Sequence, residues 1–318
     1  MKIDYFKIVQ DSANFTWKYK ILWIFGFLLA FTSGGGGNSS SEYSDVQEDP
    51  QISEKLGNFT DKFQSFLESP YFLTVFFGGI FLILILTLLF WYINKMSKAA
   101  LIKSVDFDKE GKESDINLKN LLKVTRSYMM RLFSLDLYSF LLYFPAVILI
   151  IISFFSVGFL KWFSVIVIFP SIILILTSFI AISALKNIAE RLIVLDDLQA
   201  KQGLKMAWNV ARKYFKEYIL AWLASLVPGC AFYIVNMTIT FVTMIPIVLL
   251  FFASITSNDF TNVGMILSGC GCCAISLLLT AVEAPFQVFK VSYWTKFLIE
   301  LKDISFGKKF AEEEEVVK

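Results

Sequence analysis

Long apolar blocks alternate with polar segments along this chain, and the apolar blocks have the length of membrane-spanning helices. The hydrocarbon core of a bilayer is about 30 Å thick, so about 20 apolar residues in a helix cross it. Six such blocks are present: Ile21–Ser33 extended by Phe15–Tyr19, Tyr71–Ile93, Asp136–Gly158, Trp162–Leu185, Tyr218–Ala253 and Gly264–Ala284. The pattern predicts an all-α, polytopic integral membrane protein with six transmembrane helices. The first block also fits a secretory signal peptide, although no A-x-A cleavage site precedes the glycines that follow it.

The polar segments before the first, third and fifth blocks are amphipathic and basic. Apolar side chains recur at helical spacing in residues 3–20, and basic stretches fill Asn94–Arg131 and Lys186–Lys216. The polar loop 34–70 opens with a flexible glycine-serine tract, and its second part has helical periodicity over residues 52–67. We therefore predict amphipathic helices at the membrane surface in all four places.

These elements predict one membrane domain made of three helical hairpins, each entered through a cytoplasmic amphipathic helix. The parts are 1–93 with an extracytoplasmic loop at 34–70, 94–185, 186–299, and a charged cytoplasmic tail at 300–318. The second and third hairpins open alike, because VTRSYMMRLF from Val124 and VARKYFKEYI from Val210 share Val, Arg and Tyr. We interpret this match as an internal repeat about an axis near the membrane normal.

The distribution of charge predicts the orientation. Of the 29 Lys and Arg, 26 fall on one side of the six spans, and only Lys55, Lys62 and Lys161 fall on the other. Since basic residues stay in the cytoplasm, we expect both termini to be cytoplasmic and the protein to lie in the cell (inner or plasma) membrane. The fifth block would measure roughly 52 Å as one helix. One long helix, kinked at Pro228 or Pro246, is preferred to two spans, because a seventh span would place the basic tail outside.

Composition narrows the function. The chain is 56% hydrophobic and 18% charged, as expected of a membrane protein, and its net charge of +2 gives no reason to expect a nucleic acid partner. It has no histidine, which excludes His-based catalytic and zinc-protease sites. The four cysteines lie in apolar blocks, and the GCGCC run at 269–273 is better explained by close helix packing than by metal binding. We therefore expect no enzyme activity, metal or cofactor.

Two polar residues within the spans are candidate site residues. Glu283 lies at the cytoplasmic end of the last span, just before Pro285, and an acid in a span is usually functional. Asn236, in the middle of the fifth block, belongs to a short polar series that could line a path. The alternatives are an ion pair of Glu283 with Arg191 or Arg212, and an interhelical hydrogen bond for Asn236.

A second group of candidates lies where the fourth span leaves the membrane and in the helix that follows. They are Glu190, Arg191, Arg212 and Lys213, with Asp196 and Asp197 nearby. One interpretation is a set of ion pairs that holds the cytoplasmic helices together. The other is a binding site for an anionic lipid headgroup that uses Arg191, Arg212 and Lys213.

Several of these residues resemble a known family. The segments IAERLIVLDD, GLKMAWNVARKYFKEYI and APFQVFKVSYWTKFLIELKD are similar to the membrane domain found with glycerophosphoryl diester phosphodiesterases and to related uncharacterised bacterial multi-pass proteins. The features that carry the resemblance, which extends from Trp17 to Asp303, are Glu190-Arg191, Asp196-Asp197, Trp208, Arg212, Pro285 and the aromatic-basic stretch from Tyr293. None of these motifs is catalytic, and no phosphodiesterase barrel is present in the sequence.

The sequence therefore favours a non-enzymatic accessory, scaffold or lipid-handling component of the cell envelope. Its expected partners are membrane lipids, in particular anionic lipids of the inner leaflet, and a membrane protein. The alternative is a small-molecule or ion transporter or channel that uses Glu283. The least favoured function is a lipid-acting enzyme, which would need Glu190, Asp196, Asp197 and Glu283 to lie together at one interface.

Overall fold

All regular elements that the structure describes are helical. The computed structural model describes residues 3–33, 72–157, 161–256 and 262–317. Its α-helices are α1 (Tyr5–Lys18), α2 (Trp23–Thr32), α3 (Phe72–Lys109), α4 (Leu118–Thr125), α5 (Met129–Val157), α6 (Lys161–Leu195), α7 (Ala200–Lys213), α8 (Phe215–Thr256) and α9 (Asn262–Val317). Short 3₁₀ turns occur at Lys20–Leu22, Glu113–Asp115 and Arg126–Tyr128. The all-α prediction is confirmed for these ranges, whereas the helix predicted at 52–67 lies outside the described residues.

Three helices are long and apolar enough to cross a membrane: Phe72–Lys109, Phe215–Pro246 and Cys273–Ile304. They overlap the second, fifth and sixth predicted spans, and their length and composition are those of a membrane protein. The first predicted span forms a shorter apolar helix, Lys20–Thr32. The third and fourth predicted spans overlap α5 and α6, in which the side chains of 145–147, 149–157 and 161–176 are outside those described.

The long helices continue well past the predicted ends of the spans. Helix α3 extends beyond Ile93 because the stretch that follows packs into the core, with Ala99 and Ala100 buried and Lys103 paired with Asp106 one turn later. Helix α8 runs without interruption through Pro228 and Pro246, in agreement with the single helix expected there. Helix α9 likewise includes Pro285, since neighbouring groups can satisfy the backbone where a proline interrupts the bonding within a helix.

The packed core lies at one end of the long helices. Its largest buried side chains come from α2, α3, α4, α5, α6, α9 and the turn at Lys20–Leu22, and they include Phe25, Leu101, Leu121, Leu192 and Tyr293. By contrast, no residue in the most apolar stretch of 18 residues in α3 is buried. The apolar parts of the spans therefore face outward, where hydrocarbon can cover them, and the core joins the span ends to the amphipathic helices.

Two glycines set the distance between helices. A Cβ atom at Gly26 of α2 would overlap the backbone carbonyl of Ala284 in α9, and one at Gly203 of α7 would lie 2.7 Å from the Ile193 side chain of α6. Helices α2 and α3, α5 and α6, and α8 and α9 are neighbours in space. Helix α7 contacts both α6 and α8, and α9 contacts α8, so these four helices surround a common space.

Candidate functional site

The turn between α6 and α7 is fixed by ion pairs to two other helices. Asp196 contacts the ammonium of Lys302 in α9. Arg131 of α5 donates to the carboxylate of Asp197 at 2.6 Å and to its carbonyl oxygen at 2.8 Å. Asp197 has φ 55°, in the left-handed region that Asp tolerates better than most residues. The direction in which α7 leaves α6 is thus determined by contacts outside the turn.

A cavity with two lobes lies beside this turn. The first lobe encloses about 350 Å³ between α6, α7, α8 and α9. Its lining is largely apolar and aromatic: Phe179, Ile180, Ser183, Ala184, Asn187, Ile188, Arg191, Val210, Ala211, Tyr214, Tyr218, Trp222, Lys290, Trp294, Phe297, Leu298 and Leu301. Within this lining the rings of Tyr218 and Trp294 pack against each other, with their centres 4.9 Å apart. This volume is within the range of about 300–1,000 Å³ that small-molecule sites occupy.

The second lobe is wider and encloses about 790 Å³ between α6, α7 and α8. It shares part of its lining with the first lobe, namely Ile180, Ala184, Ile188, Ala211, Tyr218 and Trp222. Its edge is formed by the exposed apolar side chains of Trp208, Phe215 and Ile219. The lobe therefore opens sideways onto an apolar surface.

Arg191 provides a buried positive charge to the first lobe. The residue is only 6% exposed. Its Nη1 donates to the carbonyl oxygen of Asn187 at 2.6 Å, and its Nε is buried without a hydrogen-bond partner. Among the described residues no carboxylate forms an ion pair with it. Burial lowers the pKa of the guanidinium from its ordinary value, and the nearby charge of Glu190 opposes that change.

The other polar groups of this lobe are mainly donors. The hydroxyl of Tyr214 is buried and has no hydrogen-bond partner in the part of the chain that the structure describes. Lys290 of α9 forms no ion pair with any described residue, and Asn187 already bonds to Lys98 and to the carbonyl of Ser183. No Asp or Glu is among the residues that line either lobe. The cavity is therefore suited to a ligand that is apolar over most of its surface and anionic at one end.

Glu190 belongs to a different cluster, although it is adjacent to Arg191 in sequence. Successive helical residues point about 100° apart, and Glu190 faces α3, where Lys95 and Lys98 both contact its carboxylate. Lys95 also lies 3.0 Å from Asp136 of α5. The cluster thus joins α3, α5 and α6.

This cluster sets the protonation of Glu190, which lies beyond the predicted end of its span. Burial alone would raise the pKa of the Glu190 carboxyl, but the ammonium groups of Lys98 and Lys95 outweigh burial and hold the pKa below its ordinary value. The carboxylate is therefore charged at neutral pH. The arrangement is that of an ion-pair cluster between helices.

The remaining predicted residues do not lie together. Arg212 lines the second lobe, whereas Lys213 lines neither lobe and places its ammonium 5.4 Å from the ring centre of Tyr214. Glu283 accepts a hydrogen bond of 2.7 Å from Gln287 on its own helix and forms no ion pair with Arg191 or Arg212. Asn236 is partly buried, and its side-chain oxygen has no partner among the described residues.

The four acids considered for catalysis also have separate partners. Glu190 contacts α3, Asp196 contacts α9, Asp197 contacts α5, and Glu283 contacts its own helix. Within the described part of the chain no set of three His, Cys, Asp or Glu residues is placed to hold a metal. Cys270 and Cys272, which belong to the GCGCC run, lie outside the described side chains.

Comparison with known proteins adds a family. The sequence profile described as a family of unknown function (DUF7544) matches residues 17–303. No curated protein and no solved structure matches this chain. The expectation of an uncharacterised family is thereby confirmed, while none of these comparisons connects the chain with the membrane domain of glycerophosphoryl diester phosphodiesterases.

Proposed function

The chain belongs to DUF7544, a family of unknown function, and since membership assigns no activity we propose a function from the geometry of the cavity. The protein is a non-enzymatic integral membrane protein that takes up an anionic lipid from the inner leaflet of the membrane. It acts as a lipid-handling component of the cell envelope. The earlier resemblance to the phosphodiesterase-associated membrane domain is kept as a proposal of common fold and adds no activity.

The proposed arrangement has six spans in three hairpins, with both termini in the cytoplasm. The contacts of α2 with α3, α5 with α6 and α8 with α9 support the hairpins. The sorting of 26 of the 29 basic residues to one side supports the orientation in the cell membrane. In this arrangement the packed core and the amphipathic helix α7 lie at the cytoplasmic surface.

The observation that carries the proposal is the depth and direction of the cavity. Leu185, where the fourth predicted span ends, lines the second lobe, and Tyr218, where the fifth begins, lines both lobes. The cavity therefore straddles the boundary between hydrocarbon and headgroups. Trp208 is 56% exposed at its edge, as aromatic residues at this boundary usually are. A lipid can therefore enter the cavity laterally from the bilayer while its headgroup stays at the same depth in the membrane.

The experiment compares two alanine-to-phenylalanine variants by native mass spectrometry of protein released gently from its membrane. Ala184 lines both lobes, so Ala184→Phe fills the space that a lipid would occupy. Ala231 is exposed on α8 and lines neither lobe, so Ala231→Phe is the matched control. We expect a stoichiometric lipid on the wild type and on the control, and its loss from Ala184→Phe. Equal lipid retention by both variants would exclude the cavity as the site.

Transport remains a second candidate because of Asn236. Its side-chain oxygen is buried without a partner in the middle of α8. The ring of Phe232, one turn earlier, stacks on Phe286 of α9 at 4.1 Å, so Asn236 lies close to the level of Glu283. A transporter of this kind should lose flux in proteoliposomes on Glu283→Gln. Unchanged flux of every solute tested would remove the support for this candidate.

A further inference from the structure

Arg191 is a buried cation that lacks the compensation such groups normally have. Buried charges are usually paired, because transfer of an isolated charge out of water is unfavourable by several kcal/mol. The nearest carboxylate in sequence, Glu190, is already shared by Lys95 and Lys98. Among the described residues, Arg191 donates one hydrogen bond, to a backbone carbonyl, and its buried Nε has no acceptor.

The groups that line the first lobe with Arg191 add to the same preference. The Tyr214 hydroxyl is a second buried group without a partner. Lys290 brings a second positive charge from α9, and no described carboxylate pairs with it. Buried Arg191, exposed Lys290 and the Tyr214 hydroxyl group thus belong to residues that line one space, whose remaining lining is largely apolar. An anion with several acceptor oxygens satisfies all three, and the planar guanidinium is well matched to phosphate.

We infer that the first lobe binds the phosphate group of a membrane phospholipid, with Arg191 as the main contact and Tyr214 and Lys290 as supporting donors. An acyl chain of the same lipid lies in the second lobe and reaches the bilayer between Ile180 and Ile219. This inference deepens the proposed function and rests on it. A volume of about 350 Å³ corresponds to roughly a dozen water molecules, which is ample for a phosphate with its glycerol.

The assignment differs from the headgroup site expected from sequence. The sequence groups Arg212 and Lys213 with Arg191, but Lys213 lines neither lobe and Arg212 lines the wider one. Lys290, about a hundred residues further along the chain, takes their place. Because Arg191 is the buried cation of the set, it should dominate the affinity, whereas exposed cations contribute little.

The test measures binding of two lipids that differ only in the phosphate headgroup. Purified full-length protein is titrated with phosphatidylglycerol and with diacylglycerol of the same acyl chains, and binding is followed by native mass spectrometry. Arg191→Gln should weaken phosphatidylglycerol binding at least about tenfold, as expected for hydrogen bonds to a charged group, and leave diacylglycerol binding within twofold. Arg126→Gln is the control, since Arg126 is exposed and lines neither lobe.

Tyr214→Phe keeps the test decisive if Arg191→Gln does not fold. The hydroxyl has no partner in the structure, so its removal should leave stability unchanged while it lowers phosphatidylglycerol affinity roughly threefold to tenfold. An equal effect of Arg191→Gln on the two lipids, or no effect of either variant, would overturn the assignment of the phosphate.

The remaining outcomes separate the possible sources of phosphate and the two proposals. If inorganic phosphate binds in an Arg191-dependent way and phosphatidylglycerol does not, the ligand is a free anion and the lipid assignment is overturned. If the wild type binds diacylglycerol and phosphatidylglycerol equally, the lipid cavity stands and only the phosphate site fails. If it binds neither lipid nor phosphate, the proposed function fails as well.

Discussion

Glu190→Gln should destabilise the protein strongly, because it removes the carboxylate that two buried ammonium groups share. The Glu190 side chain is 3% exposed, and those of Lys95 and Lys98 are 9% and 19% exposed. After the substitution Lys95 keeps Asp136 at 3.0 Å, but Lys98 keeps only the amide oxygen of Asn187. The perturbation therefore leaves one buried charge without a counter-ion.

The size of the effect follows from this count of partners. Removing one member of a buried ion pair is unfavourable by about 3–5 kcal/mol, and the lower end applies here because Lys95 retains a carboxylate. With a shift of about 2–4 °C per kcal/mol in a protein of this size, the melting temperature should fall by roughly 6–12 °C. The assay is thermal unfolding in detergent, followed by intrinsic tryptophan fluorescence, which the seven Trp residues make possible.

Two comparisons determine whether the reasoning holds. Glu110→Gln removes an equivalent carboxylate from an exposed pair with Lys112, and it should leave the melting temperature essentially unchanged because water screens exposed ion pairs. Lys98→Met added to Glu190→Gln removes the uncompensated charge and should recover most of the lost stability. A melting temperature of Glu190→Gln within about 2 °C of the wild type, or a double variant no more stable than the single one, would refute the argument.

Three further predictions concern the same assay. Folding lowers the pKa of Glu190, so the stability that its carboxylate contributes is fully present above the ordinary pKa of about 4.5 and is lost as the pH falls toward the lowered pKa. The difference in melting temperature between the wild type and Glu190→Gln should therefore be smaller at pH 3 than at pH 7, and a constant difference would contradict this. Gly26→Ala should destabilise the protein by about 1–3 kcal/mol, because the added Cβ forces α2 away from α9. Gly78→Ala should be neutral or stabilising, since a Cβ there has no atom within 4 Å, and equal effects of the two substitutions would refute the close approach of α2 and α9. Tyr293→Phe should lose about 1 kcal/mol with its buried 2.7 Å hydrogen bond to the Ala221 carbonyl, and an unchanged melting temperature would show that this bond contributes nothing.

The helical character of the chain was predictable because hydrocarbon allows few backbone structures. An apolar block in a bilayer must satisfy its own backbone, and a helix does so within one segment. The ends of the helices were not predictable in the same way. Hydropathy changes at Ile93, but the backbone hydrogen bonding continues to Lys109, since Ala99 and Ile102 pack into the core and favour the helix.

The candidate site was predictable only in part. Arg191 was recognisable as a cation at the end of a span, and the helical geometry required it to face differently from Glu190. Which of these two residues met an oppositely charged partner depended on α3, and no local pattern links Lys95 or Lys98 of α3 to Glu190 of α6. Lys290 was missed for the same reason, because it reaches the cavity from α9 and in sequence is an ordinary basic residue at a span end.

The two faces of α6 have different tasks, and this affects how the site can be tested. Glu190 fixes the helix against α3, while Arg191 presents its guanidinium to the cavity on the adjoining face. A change at Glu190 would also move Arg191, which is adjacent to it on α6. Loss of lipid from such a variant would therefore not show whether the residue holds the helix in place or contacts the lipid. The Tyr214 hydroxyl has no hydrogen-bond partner among the described residues, so its removal reports on the ligand alone. A lipid-binding role therefore predicts that Tyr214→Phe changes affinity without a change in melting temperature, and Glu190→Gln changes both.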